Sequence, residues 1–167
     1  MKVHRLILAA RSPVFQRMLS TGMTEASSGA VEIPDVEPEV LSRLCEFIYT
    51  DTVESEEAWQ DDEAICSMML AAKKYEVLGL VHLCAARAQA RLGPQNAATW
   101  LVLAAQLNEQ ELKDNCLQYV ADNLASIQAT DGWEQFMRNK QLLPELAPTL
   151  FRAVCPPAAK KKLKTTK

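Results

Sequence analysis

The sequence predicts an α+β fold that is predominantly helical, on three observations. Apolar residues recur at three- and four-residue spacing through most of the chain. Alternation of period two occurs convincingly once, at Ala30 to Ile33. Prolines and glycines fall where helices of ordinary length would start or stop.

The elements follow in order. Leu6, Ile7, Leu8, Ala9 and Ala10 favour a first short helix, which cannot run through Pro13, because a proline in a helix interior loses a hydrogen bond and clashes with the preceding turn. Ser12 followed by Pro13 reads as an N-cap with a first-position proline, so a second helix starts there, with Val14, Phe15, Met18 and Leu19 on its buried face. Gly22 and Ser27-Ser28-Gly29 mark a loop from Ser20 to Gly29. A half-buried strand is expected at Ala30 to Ile33, where Val31 and Ile33 alternate with Glu32. Pro38 opens the next helix, whose stripe is Val40, Leu41, Leu44, Cys45, Phe47 and Ile48.

From Asp51 to Glu63 the chain carries seven acids and no base, a pattern expected of a solvated loop. Helices are expected at about 63–75, 78–92, 94–107 and 109–124, the last preceded by Asn108-x-x-Glu111, a capping-box pattern. Two shorter helical pieces are expected around 133–138 and 144–154, with Pro148 restarting or kinking the latter. A lone strand is not an independently stable unit. Its sheet partners are therefore expected either upstream of Met1 or from another chain, and an unpaired edge tends towards aggregation.

Composition narrows the function. The 167 residues are 49% apolar and 23% charged, enough for one domain and an appendage. No apolar run approaches the ~20 residues that span a bilayer, and Met1-Lys2-Val3-His4 does not open a signal peptide, so no membrane association is expected. The five cysteines, Cys45, Cys66, Cys84, Cys116 and Cys155, are odd in number and lack a C-x-x-C pair. Four lie in helical segments that read as buried, which fits reduced thiols and a nuclear or cytoplasmic home. The tail from Lys160 to Lys167 holds five of the 18 bases and no acid, leaving a body of 13 bases against 21 acids. An acidic body argues against nucleic acid as the main partner.

Catalysis has little support. His4 and His82 are far apart, no cysteines stand near them at metal-ligand spacing, and no phosphate loop, zinc motif or nucleophile elbow is present. His82 reads as a packed or partly exposed helix residue. A non-catalytic chain without cofactor or metal is expected.

The run His4-Arg5-Leu6-Ile7-Leu8-Ala9-Ala10-Arg11-Ser12-Pro13-Val14-Phe15, with Val31-Glu32-Ile33-Pro34-Asp35, Pro38-Glu39-Val40 and Phe47-Ile48-Tyr49-Thr50-Asp51, resembles the core of a BTB/POZ domain. The similarity is strongest to speckle-type POZ and other MATH-BTB proteins. Gln95-Asn96-Ala97-Ala98, Ala104-Ala105-Gln106-Leu107 and Asp131-Gly132-Trp133 resemble the shortened BACK-like extension of that family. The resemblance implies a BTB/POZ-like helical core with a remnant sheet over residues 1–92, BACK-like helices over 93–155 and a basic tail over 156–167. The first helix and first strands of the domain would lie upstream, with Met1 inside the end of the second strand, and no MATH domain is expected within these 167 residues. In the family those upstream elements build the dimer interface, so the resemblance implies an incomplete one here.

Such proteins resemble adaptors that bring substrates to cullin-3 ubiquitin ligases. The resemblance places a hydrophobic-x-Glu motif at Met23-Thr24-Glu25, with Met23 entering a cullin pocket and Glu25 at its rim. The alternative is that Met23 packs under its own loop. Tyr49 and the helix after Pro94 resemble the rest of the cullin-facing surface. The implied partners are a cullin-3-type scaffold and other BTB proteins, as homo- or hetero-oligomers. Lys160, Lys161, Lys162 and Lys164 resemble a nuclear import signal, against the plainer reading of a solvated tail. Two further alternatives are a self-association scaffold and a transcriptional regulator, neither with a ligase role.

Overall fold

The computed structural model describes residues 1–20, 31–139 and 143–154. The chain divides into two compact units, Met1–Arg91 and Leu92–Lys167. Helices dominate both, as expected.

In the first unit, α1 (Arg5–Arg11) and α2 (Pro13–Met18) meet at Ser12. Ser12 is the predicted cap: its Oγ accepts the Phe15 amide at 3.1 Å. The same hydroxyl donates to the Tyr75 carbonyl at 2.5 Å and is buried, so one side chain both starts α2 and ties it to residues 63 positions away. Helix α3 (Pro38–Thr50) buries Val40, Leu44, Cys45, Phe47 and Ile48, and Leu41 is half-buried. It ends at Asp51, which adopts the left-handed conformation at φ 60°. Helix α3 packs on α4 (Asp62–Lys74), α4 on α5 (Leu78–Ala90), and α1 on α2 and α3. Ile65, Met68, Met69, Leu80, Val81 and Cys84 complete this core with no exposure.

The acidic stretch is more structured than a solvated loop. A 3-10 turn at Glu56–Trp59 buries Ala58, and Val53 is buried beside it. The Trp59 indole donates to the Val53 carbonyl at 3.2 Å and lies under the Arg87 guanidinium at 4.9 Å. Asp61 caps α4 by accepting the Ala64 amide at 2.7 Å, and Asp62 and Glu63 occupy its first turn, where the helix dipole favours negative charge. Carboxylates that read as a charge run thus divide between solvent and a helix start.

In the second unit, α6 (Ala97–Leu107) and α7 (Gln110–Asp122) form a hairpin. A short α8 (Leu124–Ile127) precedes α9 (Asp131–Arg138), which packs on α6, and α10 (Leu143–Val154) packs on α7. Leu101, Leu112, Cys116, Val120, Ile127 and Phe136 are fully buried or nearly so. Gly132 lies where α9 crosses α6: a Cβ there would stand 2.9 Å from Thr99 Oγ1, closer than real contacts allow.

Four expectations need correction. Among the described residues no strand forms: residues 31–33 carry no regular structure. Val31 and Ile33 remain half-buried around an exposed Glu32, so the period-two burial persists without a ladder. The reason is that a strand needs a hydrogen-bonded neighbour, and side-chain burial alone does not supply one. Asn108 does not begin a capping box. It ends α6 in the left-handed conformation at φ 55°, which asparagine tolerates, and Glu109 takes the N-cap position of α7. Of the two effects expected of Pro148, a restart does not occur, since one helix runs from Leu143 to Val154 with the proline inside it. The bond it forfeits is to the carbonyl of residue 144 in the first turn, and both prolines are exposed, so water can satisfy that carbonyl. Cys66 is only half-buried, whereas Cys45, Cys84 and Cys116 are buried.

Candidate interaction surface

Helix α1 lies against the C-terminal end of α3 and is stapled to it at both ends. At its start, the His4 amide donates to the Tyr49 hydroxyl at 2.6 Å, and His4 Nδ1 is 2.9 Å from the same oxygen. At its finish, Arg11 pairs with Asp51. Between them the Arg5 guanidinium donates to the Leu19 carbonyl at 2.7 Å, fastening the end of α2. A second pair, Arg17 with Glu76 at 2.7 Å, ties α2 to the left-handed turn between α4 and α5.

Tyr49 is therefore both exposed, at 41%, and held. Its ring sits 6.0 Å from the His4 ring, tilted by 47°. An aromatic ring that stays outward while its hydroxyl is engaged is a preorganised contact group, which loses little side-chain freedom when a partner covers it. Exposed Leu6, Leu70 and Leu78 add apolar area to this unit. Val31 and Ile33, with Leu8, Phe15, Leu19 and Leu41, line a cavity of about 510 Å³.

Met23 and Glu25 lie outside the described residues, as do Lys160, Lys161, Lys162 and Lys164. His82 is exposed on α5. The residue that sequence reasoning missed is His4. The sequence shows it only at the head of the BTB/POZ-like run and as an unsupported metal ligand, and a contact spanning 45 positions leaves no local signal.

Among the described residues, no group of three or more His, Cys, Asp or Glu is placed to hold a metal ion. No described helix is long and apolar enough to cross a membrane. Burial pushes the Cys84 and Cys116 thiols up to about 12, and it also raises those of Cys45 and Cys66. These four sulfurs are thiols rather than nucleophilic thiolates at neutral pH.

The first unit thus presents an anchored, outward-facing aromatic, and comparison with known families gives its class. Residues 1–92 match the BTB/POZ domain, and residues 96–144 match the BPM/SPOP, BACK domain. This chain belongs to the BTB/POZ family and carries a BACK domain of the BPM/SPOP type. Among similar proteins, the mouse (Mus musculus) TD and POZ domain-containing protein 3 is 31% identical over 155 residues, which is 92% of this chain and 42% of that protein. The mouse TD and POZ domain-containing protein 5 is 33% identical over 136 residues, 81% of this chain and 39% of that protein. The chain thus spans about two fifths of the length of these relatives.

Proposed function

We propose that this chain is a non-catalytic adaptor module that binds a cullin-3-type scaffold. The observation that carries the reading is the succession of a BTB/POZ match and a BPM/SPOP-type BACK match in one chain. The exposed but anchored Tyr49 supports it, since a docking face needs apolar groups that are accessible and already ordered. In this proposal Met23 fills a pocket of the scaffold, Glu25 bonds at its rim and Tyr49 adds aromatic area.

The test is pull-down of a cullin-3 N-terminal fragment by single variants. Met23→Ala is expected to weaken binding by about 0.8 kcal/mol for each methylene-sized group no longer buried, with the fold intact. Glu25→Ala is expected to weaken it further, because removing an interfacial carboxylate leaves its partner donors unpaired. Thr24→Ala is expected to matter little. Equal binding by all three variants and the parent would place the contact elsewhere, and equal loss with broadened melting would make the segment structural.

A self-association scaffold is the second reading, favoured by Val31 and Ile33, which keep strand-like burial with no ladder and line a cavity. A parent chain that self-associates but does not retain cullin would select it. The basic tail is proposed to direct nuclear import. Replacing Lys161, Lys162 and Lys164 with alanine is then expected to move a tagged protein to the cytoplasm, and an unchanged nuclear signal would reduce the tail to a solvated one.

A further inference from the structure

We infer that His4 is a positioning residue that fixes the orientation of Tyr49 at the docking face. The inference rests on the proposed role of Tyr49 in partner binding, but the brace itself is a property of the first unit alone.

The chemistry of the three polar groups is closed. A phenol oxygen has one proton to donate and lone pairs to accept with. The His4 amide, whose position is set by the start of α1, already donates to it at 2.6 Å. We assign the hydroxyl proton to the bond with His4 Nδ1, 2.9 Å away, so that the phenol donates and the ring nitrogen accepts. The hydroxyl of Tyr49 is held from two directions by one residue.

His4 also gives up an ordinary role to do this. It occupies the N-cap position of α1 with an extended backbone (φ −86°, ψ 116°), and its carbonyl accepts the Ile7 and Leu8 amides at 3.1 Å. Its side chain makes no capping bond to the helix. It turns across the chain to residue 49 instead. Arg11 adds a second link from the other end of α1, pairing with the Asp51 side chain two residues after Tyr49. Removal of the imidazole leaves the amide bond but frees the hydroxyl proton and the ring rotamer, and a partner must then order the ring on binding.

Two substitutions separate bracing from bulk. In His4→Asn the side-chain oxygen takes the place of Nδ1 and keeps an acceptor for the phenol; in His4→Leu the volume is kept and the acceptor is lost. The full chain carries three tyrosines, so incorporation of 3-fluorotyrosine gives three fluorine resonances, and Tyr49→Phe identifies the one from residue 49. His4→Leu is expected to shift and narrow that resonance towards the mobile value, and His4→Asn to restore it. An unmoved resonance in His4→Leu overturns the inference whatever the partner does.

Binding of the cullin-3 N-terminal fragment is read on the same variants. His4→Leu is expected to weaken it about fivefold, the factor supplied by one neutral hydrogen bond. In a Tyr49→Phe background the same change is expected to add nothing, since His4 acts through the hydroxyl. Equal weakening in both backgrounds would show damage to α1 and overturn the positioning role. A parent chain that fails to bind the fragment, with the fluorine shift present, would remove the cullin reading and leave the brace established.

Discussion

Phe15→Ala is expected to lower the unfolding free energy by about 3–5 kcal/mol. The ring is 1% exposed and stacks on Tyr75 with centroids 4.7 Å apart and planes 17° from parallel. Truncation loses the transfer energy of the ring, the aromatic contact and the packing of its neighbours. Phe15 also lines the 510 Å³ cavity, so its removal enlarges that space. Urea denaturation with an unchanged slope would report the loss, and Phe15→Leu should cost much less. A loss below about 1 kcal/mol for the alanine variant would show that α2 is not packed on the α4–α5 turn as described.

Ser12→Ala is expected to cost about 2–3 kcal/mol, a large effect for the removal of one oxygen. Two bonds end on that oxygen. The cap to the Phe15 amide is worth about 1 kcal/mol. Loss of the bond to the Tyr75 carbonyl leaves a buried acceptor unpaired, which costs about 1–3 kcal/mol. Ser12→Thr keeps the hydroxyl and should recover most of the stability. Since Ser12 grips the backbone of Tyr75 and Phe15 its ring, the double variant should lose less than the sum of the two singles. Strict additivity would mean that the two contacts do not share a structural unit.

The pair explains why one short stretch carried so much of the reading. Ser12-Pro13-Val14-Phe15 was legible as a cap, a first-position proline and a buried face, all local features. That its cap oxygen and its aromatic both meet residue 75 was not legible, because neither contact has a period or a spacing. Asn108 failed for the opposite reason. A local signature was present, but the end of α6 needed a left-handed residue at that position and took it. The acidic stretch was legible in part: most of its carboxylates do face solvent, while Val53, Ala58 and Trp59 between them were enough to seat it.

The candidate surface divides along the same line. Apolar periodicity was enough to locate the helices within a few residues, to place α3's buried stripe, and to leave Tyr49 off that stripe and therefore exposed. Those are consequences of local spacing and of the helical repeat, which act within a turn or two. Which residue would hold Tyr49 depended on how the chain brings α1 to the end of α3, and only the packed structure sets His4 against a hydroxyl 45 positions later. The missing ladder at Val31 and Ile33 has the same origin. Alternation fixes which side chains turn inward, but a strand exists only when another backbone lies alongside to share its hydrogen bonds.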